Sequence, residues 1–104
     1  MSTFRAKKPP NPNRAEIKPQ VDHVLNSARA HAGNSAVPEP IDDDKDLTND
    51  LLLGPQTKEA LAISYTSLAL QYQGGRPVSL ADAGGCHTVG DAVDLVRKRA
   101  CGKS

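Results

Sequence analysis

The sequence predicts a small all-α domain, an antiparallel three- to four-helix bundle behind a disordered basic tail. Three observations predict it. Three segments place apolar residues three and four apart, the period of a helix buried along one face. No run alternates apolar and polar residues as a half-buried strand would. Capping residues open the segments and glycines follow them. The chain has 104 residues, enough for one small domain. With no Trp and one Phe, its core must come from aliphatic side chains. Lys and Arg number 13 against 12 Asp and Glu, so net charge names no partner.

Residues 1–15 read as a tail. Arg5, Lys7, Lys8 and Arg14 stand there with no acid, and Pro9, Pro10 and Pro12 oppose a helix. The stretch is expected to be mobile and dispensable. Its functional alternative is a basic arm for nucleic acid or an acidic protein. The N-terminus has no apolar signal core, and no run approaches the roughly 18 apolar residues of a membrane span. A cytoplasmic protein without membrane contact is expected.

The first helix is expected from near Lys18, because Pro19 is tolerated only in a first turn. Ile17, Val21, Val24, Ala28 and Ala32 form its stripe, with Leu25 beside them and Gly33 as the C-terminal stop. Residues 34–55 are a long connection. Its apolar anchors are Ile41, Leu47 and Leu51–Leu53, and one helical turn is expected around Leu47–Leu52. Asp42, Asp43, Asp44, Asp46 and Asp50 make it acidic. The alternation of Asp42, Asp44 and Asp46 is similar to a calcium loop. Leu47 stands where such a loop needs Gly, and Leu53 where it needs Glu, so a solvated loop is the reading.

The second helix is expected over residues 56–73, with Leu61, Tyr65, Leu68 and Tyr72 on one face and Ala60, Ile63 and Ala69 widening it. Thr57 is a candidate cap, and Pro55 suits an earlier start. Gly74-Gly75 ends it. Ser79 to Ala83 can form one turn. The last helix covers residues 88–101. Thr88 and Asp91 have capping-box spacing. Val89, Ala92, Val93 and Val96 make the stripe, Leu95 widens it, and Arg97, Lys98 and Arg99 suit the helix dipole. Cys86 and Cys101 flank this helix of roughly 20 Å, beyond disulfide reach, so two free thiols are expected. His23, His31, His87 and the cysteines lack metal-ligand spacing, and no metal is expected. Cys86-His87 and Gly84-Gly85 are too local to argue for a nucleophile or a phosphate loop.

The order of elements, the Asp50-Leu51 pair, the LAISYTSLALQY helix, Arg76-Pro77-Val78 and the segment His87–Val96 together resemble the acyl carrier protein family over about residues 16–100. The resemblance implies a carrier bundle at 16–101, between the tail 1–15 and a short tail 102–104. It also implies a serine carrying 4'-phosphopantetheine at the start of the second helix. That position falls near Lys58, in GPQTKEAL, where the nearest hydroxyl is Thr57. The expected function is therefore a non-enzymatic, carrier-like protein-interaction module without cofactor. Its expected surface is Asp42, Asp43, Asp44, Asp46, Asp50 and Lys58, and its expected partner another protein, such as a biosynthetic enzyme. A monomer is expected. The alternative is an active carrier of fatty-acid or polyketide type, with 4'-phosphopantetheine on Ser64 or Ser67. Nucleic-acid binding by the basic arm is a weaker alternative.

Overall fold

The computed structural model describes residues 8–102, and these form four helices and no strand. They are α1 (Arg14–His31), α2 (Pro55–Ala69), α3 (Leu80–Gly84) and α4 (Val89–Ala100). None is long and apolar enough to cross a membrane. The Gln20 side chain, early in α1, donates 2.8 Å to the Tyr72 hydroxyl just beyond α2. Those two helices therefore run antiparallel.

The last helix forms as its sequence reads. The Thr88 hydroxyl accepts from the Asp91 N–H, and the Asp91 carboxylate accepts from the Thr88 N–H, closing the capping box. Val89, Ala92, Val93, Val96 and Ala100 are buried. The short α3 is capped by Ser79 as expected.

The first helix starts earlier than expected. Asn13 caps it in a box with Glu16, so Pro19 lies in its second turn. The capping box and the burial of Ile17, Val21 and Leu25 together offset the backbone hydrogen bond that Pro19 cannot make. The expected tail is corrected in the same region. Residues 1–7 lie outside the described residues. Pro12, by contrast, is fully buried, and its carbonyl accepts from the Arg97 guanidinium. The Pro9 carbonyl accepts from the Gln73 N–H at 2.9 Å. Proline lacks a backbone donor but keeps its acceptor, and here the acceptors tie the strap 8–13 to the bundle.

The buried face of α1 is also turned from the expected one. Ile17, Val21 and Leu25 are buried, together with Asp22, Asn26 and Arg29. Val24 and Ala28 are half-buried and Ala32 is exposed. The buried face is shifted around the helix by roughly 60–70°, at 100° per residue, because its polar row engages the connection that follows.

In α2, Pro55 occupies the first turn behind Gly54, and Leu61, Ala62, Tyr65, Leu68 and Ala69 are buried. Ala62 is buried in place of the expected Ala60 and Ile63, which are both exposed. Ile63 is 76% exposed. The helix stops at Ala69, four residues short of its expected end. Gly75 comes so close that a Cβ there would stand 1.9 Å from the Ala69 carbonyl oxygen. Tyr72 remains buried beyond the helix end.

Candidate partner-binding surface

The acidic connection is held from behind by α1. Lys18, Asp22, Asn26 and Arg29 follow one another at four, four and three residues, so they share a helix face. Lys18 Nζ meets both Asp22 carboxylate oxygens, at 2.6 and 2.9 Å, and donates to the Ile41 carbonyl. Asp22 accepts from the Ile41 N–H at 3.1 Å. Asn26 pairs with both backbone groups of Val37, each at 2.9 Å, and with Glu39. Arg29 donates to the carbonyls of Ser35 and Leu51. These bonds satisfy backbone groups that a connection of this length leaves without a ladder. Asp22 is fully buried. Its charge is offset by Lys18 and the Ile41 amide, as a buried carboxylate requires.

The front of the connection is tied to the start of α4. The Leu47 N–H reaches the His87 carbonyl at 2.8 Å, Val89 N–H reaches Lys45, and Gly90 N–H reaches Asp43. Residues 46–53 form a turn and not the expected helical turn. The Asp46 carboxylate accepts from the Thr48 and Asn49 amides, both at 2.8 Å. The Leu53 N–H closes onto the Leu47 carbonyl across Leu52, which has φ +60°. A helix cannot continue through a left-handed residue.

The five aspartates therefore differ in role. Asp43 sits 2.8 Å from Arg14 and 3.8 Å from Lys18. Asp50 accepts from the Asp46 N–H at 2.7 Å. The Asn49 amide, acting against desolvation and joined by the Thr48 amide, holds the Asp46 carboxyl below the usual carboxylate range. Asp42 and Asp44 are exposed and, among the described residues, make no ion pair. They are the acids left to face solvent.

Lys58 is corrected. It is only 9% exposed and points inward, where its charge is felt by Asp46 and Cys86. It is not part of the exposed face of α2. Thr57 and Ser64 are half-buried, whereas Ser67 is exposed in the last turn of the helix.

No protein-family model matches the chain, and no curated protein or solved structure is significantly similar to it.

The other chemistry weighed from the sequence resolves in the same geometry. Cys86 and Cys101 are both free thiols. Burial, and next the Asp91 carboxylate, pushes the Cys86 thiol up to about 11, so it stays protonated near neutrality. Its sulfur faces the Asp82 carbonyl at 3.6 Å. Among the described residues no three His, Cys, Asp or Glu side chains converge as a metal site. The row Asp22, Asn26, Arg29 was missed as structural machinery. Its signal is present in the sequence as polar residues at helical spacing beside an apolar stripe.

Proposed function

We propose that the chain is a non-enzymatic, carrier-like module that binds another protein and carries no prosthetic group. One observation carries the reading. At Lys58, where the likeness to acyl carrier proteins expects the attachment serine, the side chain is a buried lysine. An amine cannot form the phosphodiester through which phosphopantetheine is attached. The adjacent Thr57 hydroxyl is half-buried. The helix order, with a short α3 before a capped α4, supports the carrier-like part of the reading.

The surface left for a partner is smaller than the sequence suggested. It comprises Asp42 and Asp44 on a connection fastened at both sides, and the outer face of α2 with Glu59, Ile63 and Ser67 exposed. An acidic loop fastened at both sides, together with a helix face that carries Glu59, favours orientation and encounter with a basic protein surface.

The test is incubation of the full chain with coenzyme A and a phosphopantetheinyl transferase of broad specificity, followed by intact-mass measurement. The expected result is an unchanged mass. A gain equal to the prosthetic group overturns the reading and makes the chain an active carrier. In that event Ser67→Ala, rather than Ser64→Ala, is expected to abolish the gain, because Ser67 is the exposed one of the two.

A further inference from the structure

We propose that the cleft between α1 and α2 binds a small uncharged amphiphile, an aliphatic body bearing a hydroxyl or carbonyl group. This site stands apart from the acidic surface and does not depend on the partner-binding reading. The cleft has a volume of about 430 Å³. Small-molecule sites span roughly 300–1,000 Å³ and are mostly apolar, with a few polar groups that fix orientation.

The apolar wall is the part of the α1 stripe that the turn of that helix leaves at the edge of the core. Val24, Ala28 and Ala32 face Ala60 and Leu61 of α2. Val24 and Ala28 stay half-buried against the core, so their remaining apolar surface opens on the cleft. From Thr57 to Ser64 the wall rises roughly 10 Å.

The polar groups are Ser27 and His31 from α1, and Thr57 and Ser64 from α2. Within the described residues none of these four side chains hydrogen-bonds to protein. Ser and Thr in a helix commonly bond back to the carbonyl four residues earlier. Here Ser64 does not, and its hydroxyl remains available at the cleft. Because α1 and α2 are antiparallel, His31 and Thr57 lie at one end, and Val24 and Ser64 at the other. The lining includes no Asp, Glu, Lys or Arg. A charged head would lose water and meet no carboxylate, ammonium or guanidinium there, which is costly. The same walls accept an uncharged donor or acceptor at either end.

The test is a titration of the full, isotope-labelled chain with octan-1-ol, followed through backbone amide shifts, with octanoate and octylammonium as charged counterparts. Saturable shifts are expected in residues 24–32 and 57–64. The alcohol is expected to bind about tenfold more tightly than either ion. Ala60→Leu fills the cleft from an exposed position and is expected to lower the affinity about tenfold with the melting temperature unchanged. Ala28→Leu on the facing wall repeats the test should the first variant fold poorly. Shifts that do not saturate, shifts centred on exposed Ile63 and Leu80, tighter binding of an ion, or full affinity in the filled variants overturn the proposal. So do shifts of the cleft amides on raising protein concentration alone, which would make a second copy of the chain the occupant.

Discussion

Helices α4 and α1 pack side by side and are fastened by opposite means. The buried face of α4 is wholly apolar, from Val89 to Ala100, and its start is closed by its own residues Thr88 and Asp91. The buried face of α1 carries Asp22, Asn26 and Arg29 beside Ile17, Val21 and Leu25. In α4 local signals and tertiary burial agree, and the helix forms where its pattern says. In α1 the buried polar groups are bonded to a connection 6 to 22 residues further along the chain. That engagement turns the helix, shifts Val24 and Ala28 to the edge of the core, and leaves the cleft beside them. An apolar stripe therefore reports a helix, but it reports the buried face only where no polar row competes for it.

Val93 and Asp22 let that contrast be broken from both sides, since each is 0% exposed. The largest effect is expected from Val93→Asp. It places an unpaired carboxylate in the apolar face of α4, at a cost of several kcal/mol, comparable to the whole stability of a small domain. Loss of the cooperative melting transition by circular dichroism is the expected outcome. A variant melting like the native chain would show that α4 does not pack as described.

The next effect is expected from Asp22→Ala, which removes a buried carboxylate instead of adding one. Lys18 loses its nearest carboxylate and the Ile41 amide its acceptor, and both lie where water reaches poorly. A loss of about 3 kcal/mol is expected, in the range for breaking a buried pair on one side. Urea unfolding measures it. A further readout separates the two helices: amide exchange should accelerate across residues 37–43 while α4 stays protected. Uniform acceleration would mean that the row serves α1 itself and not the connection.

How much of this was legible follows from where each signal resides. The all-α class, the capping box of α4 and the turn Ser79–Gly84 rest on contacts within a few residues, so the sequence shows them. The spacing of Lys18, Asp22, Asn26 and Arg29 was equally visible. Its meaning was not, because its partners are backbone atoms of Ser35, Val37, Ile41 and Leu51, which leave no mark on residue identity. The strap 8–13 was misread for a related reason: proline and basic residues suggest disorder, yet the Pro9 and Pro12 carbonyls are acceptors like any other. At the candidate surface the acidic run was correctly placed on a connection. The inward turn of Lys58 depends on how α2 sits against the 46–53 turn, which no local pattern encodes. Leu52 at φ +60° is likewise invisible, since Gly or Asn is the residue that sequence reasoning expects there.

The smallest effect is expected where the connection faces solvent, and it separates acids that hold the fold from acids that face outward. Asp42 and Asp44 are exposed and make no ion pair among the described residues, whereas Asp43 lies 2.8 Å from Arg14. Reversing Asp42 and Asp44 together to Lys removes no contact that orders the connection. Stability is expected to change by no more than about 0.5 kcal/mol. Asp43→Lys reverses a charge beside Arg14 and Lys18 and is expected to cost more than the double reversal, although it alters fewer charges. Urea midpoints of the two variants make the comparison directly. If the double reversal proved the more costly, the outward acids would belong to the scaffold, and the surface assigned to a partner would shrink to the outer face of α2. If the expected order holds, Asp42 and Asp44 are charges that the fold itself does not use. They then stay available for the proposed encounter with a basic protein surface, through a field that added salt screens within about 10 Å at 0.1 M.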